Sequence, residues 1–365
     1  MTVPTDTYVP DFAITINGRS FFRYGMNVDI VSVSITETIN LADTFTFAVR
    51  EHNPKPERFA SGELTWLDSQ TFDDGNKIEV EVGYQGNRAI KLIGKITGMN
   101  ANFPESGAPQ LTVRGLSQYD ELFRRRWKKP FADRTDSEIA GVLAGELGLT
   151  ADVDDTEVKH PLVSADGATF ASILLERAQR LNYEVAVKAD KLIFKRPTYL
   201  TNSSPTLTLT WGRDLLRFTP SVATNKLVAQ AEVRNTQTSA GGSKHALTGS
   251  ATAAQIRPAL GKKGGLAESV KKFETNSVLL DEQRLSSQAE AASIARANLE
   301  QRAIEYVTAS GSCIGKPELT SRTVVELIGL GKRFSGRYYV TSTTHTIDAN
   351  GYRTEFEAKR DALWE

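Results

Sequence analysis

The sequence predicts a mainly β protein with an α+β segment in its middle. Two observations lead to this fold class. Apolar and polar residues alternate with a period of two in the first third of the chain and again after residue 204. Near Pro130 the apolar residues change to helical spacing. With 365 residues the chain is too long for one small core, so we expect two or three domains.

The first third predicts a run of short strands. Alternation buries one face of each strand and leaves the other face in water. The alternating apolar positions are Val31, Val33 and Ile35; Phe45, Phe47 and Val49; Ile78, Val80, Val82 and Tyr84; Ile90, Leu92 and Ile96; and Leu111 and Val113. Turn residues at Asn17 and Gly18 and at residues 85–87 separate such runs. Many short strands with turns between them indicate a barrel or a sandwich.

The middle of the chain predicts two helices and a hairpin. Thr135 and Glu138 have the spacing of a capping box, in which each side chain accepts a hydrogen bond from a free amide at the helix start. The helical apolar positions are Ile139, Val142, Leu143 and Leu147, and then Phe170, Ile173, Leu174, Ala178 and Leu181. Gly148 can end the first helix. A hairpin follows over residues 183–194 with its turn at residues 189–190, which completes an α-α-β-β unit.

The last part of the chain returns to the β pattern after one interruption. The strand-like positions are Leu207, Leu209, Leu215, Leu216 and Phe218, then Val324 and Val325, Tyr338 to Val340, and Tyr352 to Ala358. Asn350 and Gly351 are a hairpin turn between the last two strands. Residues 236–285 contain glycine and lysine without periodicity, so we expect a mobile insertion that cannot bury enough apolar surface to fold. Ser287 and Glu290 predict a second capping box ahead of an alanine-rich helix.

Composition excludes several functional classes. Lysine plus arginine equals aspartate plus glutamate, so the formal net charge is zero and no overall field recruits nucleic acid or an anionic membrane. A single cysteine, Cys313, cannot form an internal disulfide. No stretch reaches the ~20 apolar residues that span a bilayer. The first ten residues lack the apolar core of a signal peptide. We therefore expect synthesis in the cytoplasm, no membrane anchor, and no export by secretion.

No motif predicts a cofactor, a metal or a catalytic residue. A phosphate loop requires Gly-x-x-x-x-Gly-Lys-Ser/Thr, and residues 311–317 have a different spacing. A dinucleotide fingerprint would need glycine where Phe334 stands. The four histidines, at positions 52, 160, 245 and 345, lie too far apart in the sequence for a zinc pattern.

Four features contain residue types that can be catalytic, but each has a simpler structural interpretation. His345 could be a general base, although a packed, hydrogen-bonded strand histidine is favoured. Cys313 has no evident catalytic partner, which favours a small buried or interface residue. The acid pairs at residues 73–74 and 154–155 would suit a glycosidase, but their context is typical of turns.

The basic cluster at residues 124–129 reads RRRWKK. Trp127 could stack on a base while Arg125 and Arg126 follow a phosphate backbone. Because nothing else in the chain is biased toward basic residues, a solvated or subunit-bridging edge is favoured, with no specific nucleic-acid recognition.

Several stretches together resemble one known family. Residues 311–319 read GSCIGKPEL and residues 324–345 read VVELIGLGKRFSGRYYVTSTTH; further matches are TDSEIA at 135–140, LERAQRLNYEV at 175–185, KLIF at 191–194 and LTWGRDL at 209–215. These stretches resemble the phage late control protein D family. That family forms the baseplate hub of contractile tails and is similar to the hub part of type VI secretion valine-glycine-repeat spike proteins. The resemblance covers nearly the whole chain except residues 236–285.

The resemblance implies an architecture and a set of partners. It implies two tube-like β-barrel domains per chain, at residues 1–122 and at residues 205–235 with 286–365, plus an inserted α+β domain at residues 123–204. It further implies a homotrimer with six similar β units, located in the tail baseplate between a tail tube protein and a separate spike protein. Baseplate wedge or peripheral baseplate proteins are further expected partners. The chain stops at Glu365, which leaves no room for a spike β-helix, so we expect the spike to be a separate protein.

No catalytic residues carry over from this family, and we expect no cofactor. The residues that carry the family motifs or could lie at interfaces are Trp211, Gly212, Gly331, Phe334, Gly336, Tyr338, His345, Arg125, Arg126 and Trp127. The alternative function, motivated by the acid pairs, is a tail-associated hydrolase of the cell wall or of a polysaccharide.

Overall fold

The computed structural model describes residues 9–23, 30–51, 64–238, 244–272, 276–281 and 285–365. The N-terminal β unit contains β1 (Pro10–Ile16), β2 (Arg19–Arg23), β3 (Ile30–Thr38), β4 (Thr44–Arg50), β5 (Lys77–Tyr84), β6 (Asn87–Asn102) and β7 (Gln110–Ser117). The middle domain contains α1 (Glu121–Arg124), β8 (Phe131–Thr135), α2 (Asp136–Glu146), β9 (Thr150–Val153), β10 (Lys159–Val163), α3 (Phe170–Leu181), β11 (Glu184–Lys188), β12 (Lys191–Lys195) and α4 (Thr198–Thr201).

The remaining elements fall into two groups. The C-terminal β unit contains β13 (Leu207–Thr210), β14 (Leu215–Val222), β18 (Val307–Ile314), β19 (Val324–Ile328), α7 (Gly331–Phe334), β20 (Gly336–Asp348) and β21 (Gly351–Arg360). The side layer, inserted between β14 and β18, contains β15 (Gln230–Thr238), β16 (Lys244–Thr252), α5 (Gly265–Ser269), β17 (Ser277–Asp281) and α6 (Gln288–Ala303). The mainly β class with an α+β middle is therefore confirmed.

The two β units share one sheet. Thirteen of the described strands belong to it, in the order β14-β18-β21-β20-β3-β4-β7-β6-β5-β1-β2, with β19 paired to β20 and β13 paired to β19. The units join where β20 runs antiparallel to β3, from Ser342 opposite Thr38 to Ile347 opposite Val33. The strands of both units pair continuously, so the sheet itself does not mark a boundary between two domains. The division into separate tube-like domains stays a prediction.

Each β unit has its own apolar core. The apolar residues that alternate in the sequence are the ones that point into it. In the N-terminal unit Val33, Ile35, Phe45 and Phe47 are fully buried. The core of that unit also contains Ile347 and Tyr352, which come from the C-terminal unit. The core of the C-terminal unit is formed by Leu209, Leu215, Val307, Cys313, Leu319, Val325, Leu327, Tyr338, Val340, Phe356 and neighbouring side chains.

The local signals for turns and caps are confirmed in most places. Asn17 and Gly18 both have positive φ between β1 and β2, as a tight hairpin turn requires. The Thr135 hydroxyl accepts a hydrogen bond from the Glu138 amide at 3.2 Å, and the Glu138 carboxylate accepts one from the Thr135 amide at 3.0 Å. At the start of α6 only half of the predicted box forms, because Glu290 accepts from the Ser286 amide instead.

The middle domain contains the predicted helices and hairpin with three additional strands. β10 pairs with β8, and β9 pairs in parallel with β12. These strands have only four or five residues and alternate poorly, so no local pattern predicts them. The domain encloses a core between α2, α3 and the hairpin.

The expectation that residues 236–285 cannot bury apolar surface is wrong for the described residues of that range. β16 pairs with β15 along nine residues and β17 pairs with β15 in parallel, which gives a three-stranded sheet. This sheet packs on α6 through a core of small and aliphatic side chains, among them Ala231, Val233, Ala251, Ile256, Leu266, Ala291, Ile294 and Leu299. Residues 239–243, 273–275 and 282–284 lie outside the described residues.

The glycines in this range have a packing role that accounts for the error. A Cβ on Gly249 would lie 2.2 Å from the Ala292 amide nitrogen of α6. A Cβ on Gly261 would lie 2.5 Å from the carbonyl oxygen of Ala362, near the C-terminus. Glycine here allows backbones to touch, whereas the sequence analysis took it as a sign of mobility.

Candidate functional site

The junction of the two β units carries a ladder of hydroxyl groups on the face opposite the cores. Three pairs of side chains are hydrogen-bonded across β3 and β20, and the hydroxyl oxygens lie 2.9–3.2 Å apart. The pairs are Ser34 with Thr346, Thr36 with Thr344, and Thr38 with Ser342. This ladder makes the junction polar on one side and apolar on the other, so the register between the units is fixed on both faces.

A buried ionic cluster ties the middle domain to this junction. The Lys188 ammonium, on β11, donates to Asp43 at 2.9 Å and to Glu37 on β3. Burial raises the pKa of Asp43 to about 6, against the lowering effect of Lys188. Burial alone would lower the pKa of Lys188, but the two carboxylates together raise it. The cluster therefore connects three parts of the chain at one point.

A second buried carboxylate makes a similar connection beside it. Glu184, on β11, accepts hydrogen bonds from the Tyr339 hydroxyl at 2.7 Å and from the Arg322 guanidinium at 2.9 Å. Burial, together with the Glu184 charge, raises the pKa of Tyr339 well above its usual value. The phenol thus remains a proton donor to Glu184 at neutral pH.

His345 lies inside the junction and is fully buried. Its Nε2 is 3.0 Å from the Leu319 carbonyl oxygen, so Nε2 carries the proton and donates. Its Nδ1 is 2.8 Å from the Tyr352 hydroxyl and accepts. Burial lowers the pKa of His345 to about 4, so the ring is neutral under ordinary conditions. The structure gives it the packed, hydrogen-bonded environment that the sequence favoured.

Cys313 and the two acid pairs, which the sequence offered as candidate chemical groups, also lie in structural positions. Cys313 is fully buried in the C-terminal core, and burial raises the pKa of its thiol to about 12. Asp73 and Asp74 lie in an exposed turn before β5. Asp154 accepts from the Arg196 amide at 3.1 Å, and Asp155 accepts from the Ser137 hydroxyl at 3.2 Å. The two members of the second pair therefore make different hydrogen bonds within the middle domain.

The basic cluster fastens the beginning of the middle domain. Arg125 donates to the Glu146 carbonyl oxygen at 2.9 Å, and Arg126 donates to the Gly167 carbonyl oxygen at 2.7 Å. Trp127 stacks on Phe131 with ring centroids 4.8 Å apart and packs against the core of the middle domain. Trp127 therefore contacts apolar side chains of its own domain, and stacking on a base was the less favoured interpretation of the sequence. A contact of this edge with another subunit stays a prediction.

The motif residues near the C-terminus form two groups. Trp211 is half exposed, and its Cβ lies 3.2 Å from where a Cβ on Gly329 would be. Gly212 has positive φ in the turn before β14, and Gly331 has positive φ at the first residue of α7. These residues lie at one end of the C-terminal β unit.

The second group surrounds the buried side chain of Arg360. Arg360 lies over the ring of Tyr338 at 4.3 Å and donates to the carbonyl oxygens of Arg333 and Ser335. Gly336 accommodates Trp364, because a Cβ there would lie 2.4 Å from the indole. The Phe334 carbonyl oxygen accepts from the Tyr338 hydroxyl at 2.8 Å. Sequence analysis did not find Arg360, since a buried arginine leaves no periodic signal.

A further buried contact joins the middle domain to α6. His160 Nε2 is 3.1 Å from an Asp136 oxygen, and His160 Nδ1 is 3.8 Å from a Glu290 oxygen. Arg180, on α3, pairs with the same Glu290 at 3.0 Å.

Within the described ranges no set of three or more His, Cys, Asp or Glu side chains is arranged to hold a metal ion. No helix in the described part of the chain has the length and apolar character to cross a membrane.

Comparison with protein families gives one match that covers most of the chain. A family model described as the Alg8 N-terminal domain matches residues 6–349. The chain belongs to this family. No curated protein matches the chain. The finer resemblance to the late control protein D family stays a prediction.

Solved structures give matches over nearly the whole length of the chain. The 43 kDa tail protein of prophage MuSo2 from Shewanella oneidensis is 13% identical, with a TM-score of 0.70 and coverage of 97% of this chain and 99% of that chain. The tail protein from Neisseria meningitidis MC58 is 15% identical, with a TM-score of 0.69 and coverage of 98% of each chain.

A third match extends to secretion systems. It is the Escherichia coli protein c3393, a component of the type VI secretion system with structural similarity to the T4 bacteriophage tail proteins gp27 and gp5. It is 11% identical, with a TM-score of 0.59 and coverage of 96% of this chain and 77% of that chain. At such low identity these matches show that the chain has the fold of tail proteins.

Proposed function

We propose that the chain is a structural hub subunit of the baseplate of a contractile phage tail or a related contractile injection system. The observation that carries the proposal is the match of its fold, over 97% and 98% of this chain, to a prophage tail protein and to a second tail protein. The sequence resemblance to the late control protein D family supports the same role. The protein would then be located in the tail baseplate or injection particle, which is assembled in the bacterial cytoplasm.

The hub consists of three copies that seat a six-fold tail tube on one side and a three-fold spike on the other. Two β units per chain supply six similar units around an axis. The supporting observation is the pairing of β3 with β20, which holds both units of one chain in a fixed relation. A tube protein, a separate spike protein and baseplate wedge or peripheral proteins are the proposed partners.

Native mass spectrometry of the chain, alone and co-expressed with its neighbouring tail genes, tests the stoichiometry. We expect a trimer, and particle images of the tail tip with three copies around the channel. A strict monomer in the assembled particle, or a ring of six whole chains, contradicts the proposal.

The hub role requires no catalysis, and we propose that the chain is not an enzyme. The acids that motivated the hydrolase alternative lie in a turn or in hydrogen bonds within the middle domain. Zymography on peptidoglycan with the purified chain is expected to show no clearing. Clearing that is lost in Asp73→Asn or Asp154→Asn would restore the hydrolase alternative.

A further inference from the structure

The apolar core of the middle domain is formed within the domain itself. All of its buried members lie between Tyr119 and Phe194. Among the described apolar residues that pack against this core, Ala42 alone comes from another part of the chain. The N-terminal β unit differs, because side chains of β20 and β21 complete its core. We call residues 118–195 the middle module. Its closed core allows it to keep its fold when contacts to its neighbours are lost.

The middle module is attached to the other parts of the chain mainly through charged and polar side chains, along a boundary that we call the seam. On β11, Lys188 donates to two carboxylates of the N-terminal β unit. Glu184, also on β11, accepts hydrogen bonds from two side chains of the C-terminal β unit. On α3, Arg180 pairs with Glu290 of α6 at 3.0 Å. We call these three contacts, at Lys188, Glu184 and Arg180, the latches.

Ion pairs hold two parts of a chain together differently from an apolar core. When a latch opens, its charges return to water, and hydration recovers much of the Coulomb energy that the pair loses. Apolar surface has no such compensation when it is exposed to water. Opening the seam therefore costs much less free energy than unfolding the module.

Crevices along the seam show that the module does not pack closely on its neighbours everywhere. One crevice of about 350 Å³ lies between α3 and the residues that follow α6. A second, of about 480 Å³, is lined by Leu147 of the module and by Ile96 of β6. A third, of about 440 Å³, lies between α3 and α6. The close-packed core of a domain leaves no spaces of this size.

The two edges of β11 have different partners. This strand is the outer one in the order β11-β12-β9. The Val185 amide donates across the seam to the side-chain oxygen of Asn40 at 2.7 Å. The next amide along the strand, that of Ala186, points to the opposite edge, where Ala186 pairs with Ile193 of β12. These neighbouring amides therefore have one partner outside the module and one inside it.

We propose that the middle module opens away from the rest of the chain as a folded unit, with the three latches as the contacts that break and re-form. The docked and the undocked arrangements are then two states of one chain. The inference goes beyond the proposed hub function and does not depend on it, because it concerns contacts within a single chain.

The hinges of this opening lie where the chain enters and leaves the module. Ser117 belongs to the N-terminal β unit, since its hydroxyl accepts a hydrogen bond from the Asp43 amide at 3.1 Å. Beyond the other end of the module, Tyr199 packs in a separate apolar cluster. The changes in φ and ψ are therefore confined to residues 117–118 and 195–197, as in a hinge formed by the ends of elements.

Amide hydrogen exchange, resolved to single residues in the full chain, tests the opening. In the undocked state the Val185 amide loses its acceptor, whereas the Ala186 amide keeps its partner within the hairpin. We expect the protection factor of Val185 to be at least tenfold lower than that of Ala186. Equal protection of the two amides means that the seam opens only when the module unfolds, which overturns the proposal.

A substitution in the core of the module separates undocking from unfolding. Ile139 is fully buried in that core, so Ile139→Val weakens the module equally in the docked and the undocked state. We expect the protection factor of Ala186 to fall about threefold, because one buried methyl group is lost. The protection factor of Val185 should not change. An equal fall at both amides contradicts the proposal.

A variant of a distant latch tests whether the module moves as a unit. Glu290→Gln leaves Arg180 without its anion, while the glutamine can still accept from the Ser286 amide. We expect the protection factor of Val185 to fall about tenfold or more, although Val185 lies on β11 and not beside this latch. Lys191→Met, at an exposed position of the hairpin, is the control and should leave it unchanged. If Glu290→Gln also has no effect at Val185, the latches open one by one and the module is not a unit.

Discussion

Asp43 and His345 have pKa values shifted in opposite directions by burial, with opposite consequences for stability. Burial raises the pKa of Asp43 to about 6, so the folded state binds this proton more tightly than the unfolded state, and stability falls as pH rises from about 4 to 6. Burial lowers the pKa of His345 to about 4, so stability rises between about pH 4 and 6.5. Each shift of about two units corresponds to about 3 kcal/mol, and we expect the two effects nearly to cancel.

Single substitutions should separate the two effects. In His345→Gln the Asp43 effect remains alone, so the free energy of unfolding should fall from pH 4 to 6 relative to the wild type. In Asp43→Asn the His345 effect remains, and the free energy should rise over the same range. Urea denaturation at several pH values measures both, and the other titrating groups are common to all three proteins. Parallel pH profiles for the two variants would contradict this assignment.

Lys188 is the group whose loss should harm the junction most. Lys188→Met leaves Glu37 and Asp43 buried without their cation, and we expect a loss of about 3 kcal/mol in the free energy of unfolding. This is the low end for a broken buried pair, because the Lys188 side chain is 31% exposed. Lys191→Met, at an exposed position of the same hairpin, is the control and should be nearly neutral. Equal losses in both variants would show that the ion cluster has no special role.

At the level of single residues, the sequence predicted roles that depend on local chemistry and missed those that depend on distant partners. The packed state of His345 followed from its place in a strand. The cluster of Glu37, Asp43 and Lys188 spans about 150 residues of sequence and has no local pattern. The apolar partners of Trp127, which are Phe131 and the core of the middle domain, have no local signal either, because the sequence neighbours of Trp127 are basic.

At the level of elements, the contact of β16 with α6 depends on a glycine. We expect Gly249→Ala to cost about 1–3 kcal/mol, because its Cβ would overlap the backbone of Ala291 and Ala292. Gly141→Ala in α2 is the matched control, with nothing within 4 Å of the added Cβ. It should be neutral or stabilising by up to about 1 kcal/mol, since alanine favours a helix. Thermal denaturation measures both, and a neutral Gly249→Ala would mean that the sheet and helix separate easily.

Hydrogen exchange distinguishes the packed side layer from a mobile insertion. β15 and β16 are paired along nine residues and covered by α6, so their amides should exchange slowly, comparably to those of β20 and β21. A mobile segment would exchange within seconds. The sequence could not reveal this layer because many of its core side chains are alanine and its larger aliphatic residues are widely spaced in the sequence, which gives no strong hydrophobic period.

At the level of the whole molecule, the order β, α+β, β was predictable, but the union of both β regions in one sheet was not. Alternation fixes which face of β3 or β20 is buried, yet it does not identify a partner about 300 residues away. The hydroxyl ladder is visible in the sequence only as ordinary alternation of serine and threonine with apolar residues. The middle domain then sits over this junction through Lys188 and Glu184.

The shared sheet predicts that the two β units unfold together. The N-terminal core is completed by Ile347 and Tyr352, so loss of the C-terminal unit exposes apolar surface in both. The four tryptophans, Trp66, Trp127, Trp211 and Trp364, include reporters for each unit. Variants that keep only Trp66, in contact with the N-terminal core, or only Trp364, packed on Gly336, should give the same denaturant midpoint by fluorescence. Ile347→Ala should lower the free energy of unfolding by about 2–5 kcal/mol. The denaturant midpoints reported by Trp66 and by Trp364 should then fall by the same amount. If Ile347→Ala moved only one of the two transitions, the units would be independent domains, as the family resemblance implies, and ring closure would have to fix their relative orientation.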